Sequence, residues 1–287
     1  MLDEIIDEAL KQAGESSTAR NIQSVSGGSI NESYYVEMDQ NQYFVKYHAT
    51  APAHFFEAEA KGLENIRSTD SIDTPEVLAY QDKPGQSFLV MEWMSGESTQ
   101  ETQSLLGERI AKMHLSHAEY HGLDQQTFIG DLPQPNQLCR EWVDYYRTFR
   151  LERQLELGRE RHRIADKREE KLIHLIDNLE KYIPHDIAPS YLHGDLWSGN
   201  WLPGPKGTPY VIDPSFLYGD RHFDLAFTEM FGGFTQDFYN AYNEIYPISS
   251  DYEVLKPIYQ LYYSLVHLNM FGESYGGLVD RILKRYA

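Results

Sequence analysis

The sequence predicts an α+β protein of two lobes. Residues 1–94 would form an antiparallel-sheet lobe with one main helix, and residues 95–287 a mostly helical lobe. Three observations carry this. Runs rich in aromatic and β-branched residues, divided by turn signals, fill the first ninety-odd residues. Beyond Met94-Ser95-Gly96 the apolar spacing becomes helical. Only a short glycine-containing segment joins the two regions, which puts a cleft between them, where ligand sites prefer to form.

The elements follow in order. Leu2, Ile5, Ile6, Ala9 and Leu10 share one face of a helix over 2–12. Strands are expected at Ile22–Val25, Tyr34–Met38 and Tyr43–Tyr47. Pro52 opens a helix carrying Phe55, Phe56, Ala60, Leu63 and Ile66. Two more strands, 74–80 and 88–93, flank the turn Lys83-Pro84-Gly85. Ser98-Thr99-Gln100-Glu101 fits a capping box before a helix with Leu105, Leu106, Ile110 and Met113. Gln134-Pro135-Asn136 marks a turn. Trp142, Tyr145, Tyr146 and Phe149 begin a long helical stretch, and another helix covers 167–182. From Phe223 onward the helices break near Gly232-Gly233, Pro247 and Gly276-Gly277.

Charge narrows the function. With 25 basic and 44 acidic residues the net charge is −19, a field that repels phosphate backbones and anionic lipid and so argues against nucleic acid and membrane surfaces as partners. Cys139 is the single cysteine, which rules out an intrachain disulfide and a cysteine-based zinc cluster. The acidic start lacks the pattern of a signal peptide, and no apolar run has membrane length. A cytoplasmic location is the expectation.

The chemistry is concentrated in Tyr191-Leu192-His193-Gly194-Asp195-Leu196-Trp197-Ser198-Gly199-Asn200, followed by Val211-Ile212-Asp213-Pro214. Asp, Asn and Asp form the polar set that phosphoryl transfer needs: an acid to take the hydroxyl proton, then an amide and a second acid to hold a metal. Asp195 is the candidate base. Asn200 and Asp213 are candidate Mg²⁺ ligands, hard oxygens that leave room for ATP phosphates and water. His193 reads as a structural loop residue. Trp197 either stacks on a substrate or packs in the core. Asp224 either caps a helix or hydrogen-bonds the catalytic loop.

The first lobe supplies candidates for ATP. Ser26-Gly27-Gly28-Ser29 lies between two strands, and Gly27, Gly28 and Ser29 either bring backbone N–H groups to phosphates or make a plain hairpin. Lys46 follows Phe44 and Val45 on a strand, as a phosphate-binding lysine does. Glu59 is its expected partner. Glu57 is excluded by helical phase, since positions two apart face different ways. Glu92, Trp93 and Met94 end the last strand, where backbone groups meet an adenine edge, and they also link the lobes.

These residues resemble the fructosamine kinases, or ketosamine-3-kinases, small-molecule kinases of protein-kinase-like fold related to aminoglycoside phosphotransferases and choline kinases. The wider superfamily shares His193-Gly194-Asp195 through Asn200, with Asp213. More specific to this branch are Leu196-Trp197-Ser198-Gly199, Asp224 through Phe234, Gly27-Gly28-Ser29-Ile30, Phe56 through Leu63, and Ile129-Gly130 to Gln134-Pro135-Asn136. The resemblance implies ATP-dependent phosphorylation of the 3-hydroxyl of a ketosamine, whether a small molecule or a glycated protein lysine. The labile product then returns the free amine. Sister activities, an aminoglycoside or choline phosphotransferase or a non-catalytic nucleotide-binding module, are the alternatives. Two departures stand out. Ser29 occupies a place where some members carry a cysteine, and Asp220 one where many carry a histidine.

Overall fold

The structure, a computed structural model, describes residues 2–25 and 31–286. Helix α1 (Leu2–Gln12) precedes strands β1 (Asn21–Ser24), β2 (Glu32–Glu37) and β3 (Gln42–His48). Helix α2 (Phe55–Arg67) then leads to β4 (Val77–Gln81) and β5 (Ser87–Glu92). The strands form one antiparallel sheet in the order β1-β2-β3-β5-β4. The glycine-rich stretch with Gly27, Gly28 and Ser29 lies outside the described residues.

Side chains alternate across a strand, and both faces of this sheet are covered. Val45 and Val90 pack with Ile5, Ile6, Ala9 and Leu10 of α1. Phe44, Leu89 and Met91 pack on the other face against Phe55, Phe56, Ala60 and Leu63 of α2. Lys46 is two residues from Phe44, so the same alternation turns it toward α2.

Two helix starts differ from expectation. Helix α2 begins at Phe55 rather than Pro52. The Asp82 carboxylate, from the turn between β4 and β5, accepts from the N–H groups of Phe56 (3.0 Å) and Glu57 (2.9 Å). A helix starts where its free N–H groups find an acceptor. Helix α3 (Thr102–His114) lacks the box between Ser98 and Glu101. Thr99 does that work instead: its N–H donates to Thr102 Oγ1 (2.8 Å), and its Oγ1 accepts from Glu101 N–H (3.3 Å). Thr102 Oγ1 in turn donates to Gly207 O (2.9 Å), which ties the start of α3 to a distant loop.

The second lobe continues with a hairpin, β6 (Thr127–Ile129) and β7 (Leu132–Gln134), that covers part of the predicted turn. The long helical stretch divides into α4 (Trp142–Tyr146), a π-helical segment over Arg147–Glu152, and α5 (Arg153–Glu160). The helix expected over 167–182 is α6 (Asp166–Ile176) with a 3₁₀ turn at Leu179–Lys181. Four short strands follow: β8 (Ser190–Leu192), β9 (Trp201–Pro203), β10 (Pro209–Val211) and β11 (Leu217–Gly219). They pair as β8 with β11 and β9 with β10. Helices α7 (Arg221–Thr228), α8 (Gln236–Ile245), α9 (Tyr252–Phe271) and α10 (Gly276–Tyr286) complete the chain. The break before α10 falls at Gly272, not at Gly276-Gly277. Gly272 takes φ 90° and ψ −163°, a conformation reserved for glycine, and Gly276 opens the next helix. No helix among the described residues is long and apolar enough to cross a membrane.

Helices α3 and α8 meet at Gly107, where a Cβ would stand 2.1 Å from Phe238 O. Gly107→Ala is therefore expected to lower stability by about 1–3 kcal/mol from overpacking, which outweighs a helix-propensity gain of ~1 kcal/mol. Urea denaturation checks this, and a midpoint equal to or above that of the parent would contradict it.

Candidate active site

Lys46 is almost completely withdrawn from water, at 4% exposure. Its Nζ donates to Glu59 Oε1 at 2.7 Å and to Asp213 Oδ1. Glu57 faces elsewhere, pairing with His54 and Lys61. Burial alone would depress the Lys46 pKa, but the two carboxylates outweigh it and hold the ammonium charged, well above its ordinary range. Burial raises the Glu59 carboxyl above its ordinary range, against the pull of Lys46. Asp213 goes the other way: burial raises it, Lys46 lowers it, and the net is below the usual value. Asp213 sits at φ 54°, a left-handed conformation uncommon outside glycine and concentrated at functional sites.

The loop carrying Asp195 is held through its backbone. Asp224, fully buried at the start of α7, accepts from His193 N–H (2.7 Å) with one oxygen and from Gly194 N–H (2.8 Å) with the other. Its Oδ2 also faces His114 Nε2 at 3.2 Å, while His114 Nδ1 accepts from Tyr242 OH at 2.8 Å. Asp224 therefore grips the loop, one of the two alternatives the sequence left open. From the other side Tyr263 OH donates to Gly194 O (3.0 Å). Gly194 takes φ 79°, and a Cβ there would lie 1.9 Å from Ser215 O, so only glycine fits.

His193 is structural in its bonding. Nε2 donates to Ile212 O (2.9 Å), and Nδ1 accepts from Asp195 N–H (3.2 Å). Burial lowers its pKa and keeps it neutral, as that tautomer requires. Asp195 is half-buried. Burial pushes its carboxyl well above the ordinary range, opposed by the hydrogen bond from Asn200 and aided by Asp213 and Asp224. Asn200 Nδ2 donates to Asp195 Oδ2 (2.9 Å), Asp195 O (2.8 Å) and Asp213 O (3.4 Å). Its oxygen is the atom left to offer a cation.

Two adjoining cavities of about 420 and 410 Å³ meet at Asn31, Lys46, Trp197, Asn200 and Asp213. The first holds Asp195, Glu59 and the β6–β7 hairpin residues Thr127 to Ile129, with an aromatic wall from α7, α9 and the segments after them. The second runs under the sheet past Phe44, Met91, Leu202 and Ile212 to Glu92, Trp93 and Met94. Not all backbone groups of that last stretch are available: Glu92 N–H donates to Glu76 O (3.0 Å) and Trp93 N–H to Gln42 O (3.1 Å). Trp197 is 38% exposed at the junction, folded over Gly199, which removes core packing as its explanation. Asp220 lines neither cavity. It caps α7 and accepts from His222 Nδ1 (2.8 Å) and Tyr259 OH (2.6 Å).

Among the described residues no group of three His, Cys, Asp or Glu side chains is placed to hold a metal. Asn200 and Asp213 fit Mg²⁺ nonetheless, because that ion usually takes one or two protein oxygens and completes its shell with phosphate and water. Sequence reasoning passed over Asn31, which lines both cavities and whose buried Oδ1 finds no partner. It also passed over the aromatic wall, because those residues approach Asp195 only through tertiary packing.

A strand lysine paired to a helix glutamate, facing an Asp–Asn–Asp set across a cleft, defines a phosphotransferase of the protein-kinase-like fold. Within that class the chain belongs to the fructosamine kinase family, whose profile matches residues 1–287. It is 40% identical over 268 residues to a probable ketoamine kinase of Lactiplantibacillus plantarum, covering 93% of this chain and 94% of the relative. It is 31% identical over 292 residues to the chloroplastic protein-ribulosamine 3-kinase of Arabidopsis thaliana, covering 100% and 88%. The crystal structure of a putative fructosamine-3-kinase from Thermobifida fusca superposes with a TM-score of 0.89 at 28% identity, covering 99% of each chain.

Asp224→Asn replaces one acceptor oxygen with a donor facing backbone N–H groups. The His193 and Gly194 amides should then exchange hydrogen at least about tenfold faster, while those of α9 keep their protection. Unchanged protection at both amides, read by hydrogen exchange, would show that Asp224 does not hold the loop.

Proposed function

We propose that this chain is an ATP-dependent kinase that phosphorylates the 3-hydroxyl of ketosamines, as small molecules or as glycated lysines of proteins, in the cytoplasm. The observation that carries the reading is the division of the cleft. Asp195 lines one cavity and the strand-end residues Glu92 to Met94 the other, and Lys46, Asn200 and Asp213 stand where the two join. Acceptor and nucleotide then meet at the residues that handle charge. The names of the relatives supply the acceptor chemistry.

In this reading residues 1–94 bind the nucleotide and residues 95–287 bring the acceptor. The apolar slot of Phe44, Met91, Leu202 and Ile212 takes the adenine, and Gly27, Gly28 and Ser29, outside the described residues, stay the sequence's candidates for the phosphates. Lys46 keeps Glu59 and exchanges Asp213 for phosphate oxygens. Asn200 and Asp213 would hold Mg²⁺, which neutralises phosphate charge when bound. Asp195 orients the hydroxyl and takes its proton as the new O–P bond forms and the bond to ADP breaks. Trp197 bears on the sugar at the junction. The 3-phosphate then leaves as inorganic phosphate from the C1–C2 enaminol, and water hydrolyses the resulting C1 imine to the free amine and a 3-deoxy-2-ketoaldose. His193 and Asp224 keep Asp195 in position and touch no reacting atom.

With Mg²⁺-ATP, ADP release should be faster with a ribulose-lysine or fructose-lysine adduct than with choline or kanamycin. Asp195→Asn should lower turnover by about 10²-fold or more, the scale of general-base catalysis, with ATP affinity within about threefold by calorimetry. Faster turnover of choline or kanamycin would overturn the substrate assignment, and near-parental turnover of Asp195→Asn the assignment of the base.

A further inference from the structure

The aromatic wall of the cavity that holds Asp195 contains an imidazole, His267, that plays no part in the mechanism above. His267 lies near the end of α9, and its Nδ1 donates to Tyr263 O, one turn earlier, at 2.7 Å. A carbonyl can only accept, so this bond fixes the tautomer and leaves Nε2 with a free lone pair. Burial holds the ring below the usual histidine range, which keeps it neutral. Nε2 has no hydrogen-bond partner among the described residues, so its lone pair is available to a ligand.

The rings of Tyr275, Phe231 and Phe271 surround His267 at 4.9, 5.2 and 5.7 Å. All of them line the cavity. Phe231 and Phe271 are 43% and 53% exposed, a wall open toward a ligand rather than a packed core. Tyr263 fixes this collar relative to the base. Its OH donates to Gly194 O, beside Asp195, and its ring stacks on Phe227 at 3.7 Å. One helical turn, about 5.4 Å, separates Tyr263 from His267.

A neutral imidazole acceptor among aromatic faces suits a cation that also carries an N–H. Aromatic faces attract ammonium groups, and a hydrogen bond from a charged donor is stronger than a neutral one. In a ketosamine the nitrogen on C1 is such a group, two carbons from the 3-hydroxyl and secondary when borne by one alkyl chain. We infer that His267 Nε2 accepts a hydrogen bond from the protonated amine of the bound ketosamine, with Phe231 and Phe271 against the charge. These residues thereby select the amine over an uncharged ketose. This rests on the ketosamine reading of the site.

The test compares 1-deoxy-1-(methylamino)fructose with its ether counterpart, 1-O-methylfructose, in ADP release with Mg²⁺-ATP. The parent enzyme should favour the amine in kcat/KM by about tenfold or more. In His267→Phe that preference should fall to within about threefold, through the KM of the amine, with kcat and the ether nearly unchanged. His267→Gln, which returns an acceptor oxygen, should recover part of it. Phe271→Ala, at an exposed position where folding is not at stake, should lower the preference by roughly threefold. Retention of the full preference in His267→Phe or, should that variant not fold, in Phe271→Ala would overturn the inference, as would equal loss on both substrates. A parent that turns over the amine without preferring it to the ether would overturn the inference and leave the ketosamine reading standing. A parent that turns over no ketosamine would overturn both.

Discussion

The ammonium of Lys46, buried between Glu59 and Asp213, ties together a strand, the helix that follows and packs on it, and the turn, remote in sequence, that ends the Asp195-to-Asp213 region. Taking an ammonium out of water costs several kcal/mol unless carboxylates and hydrogen bonds compensate, and here two carboxylates do. The arrangement is also positional. Sheet alternation turns Lys46 toward α2, and α2 is pinned at its start by Asp82 and along its length by Phe56 and Leu63. Gly62 lets α2 come within contact of Pro214, where a Cβ would meet the proline ring at 3.0 Å. The first lobe therefore has one place to put its lysine, beside the metal-ligand candidate of the second.

The second lobe fixes its own chemistry by gripping the backbone. Asp224 takes two N–H groups of the Asp195 loop, Tyr263 takes a carbonyl, and His193 is bonded at both ring nitrogens. Short side chains then reach the cleft from a chain that has little freedom, the condition for preorganised charge handling. The same helix that supplies Tyr263 carries His267, so the proposed amine subsite and the candidate base are referenced to one element.

Much of this was legible in the sequence where the cause is local. Asp195 and Asn200 share one loop, so their proximity follows from a few turns. Helical phase chose Glu59 over Glu57, and the apolar Phe44 and Val45 before it put Lys46 on a strand. What escaped has non-local causes. Helix α2 starts where Asp82 arrives from another turn, and α3 starts where Thr102 is drawn to Gly207. The β6–β7 hairpin shows in the sequence only as the turn signal at its end, Gln134-Pro135-Asn136, whereas in the fold Ser215 Oγ, from beyond Asp213, donates to Phe128 O at 2.8 Å. Asn31 looks like a turn residue until two cavities are found to share it. His267 and Phe271 sit on an apolar helix, where nothing in the spacing separates a cavity wall from a core.

The central claim is phosphoryl transfer to one hydroxyl of a ketosamine. The most direct measurement is proton–phosphorus correlation NMR on the product formed from Mg²⁺-ATP and a fructose-amine adduct. The account expects the phosphorus to couple to the proton on C3, with free amine accumulating as that signal decays. Phosphate on any other hydroxyl, or none on the ketosamine under conditions where kanamycin or choline is phosphorylated, would contradict it.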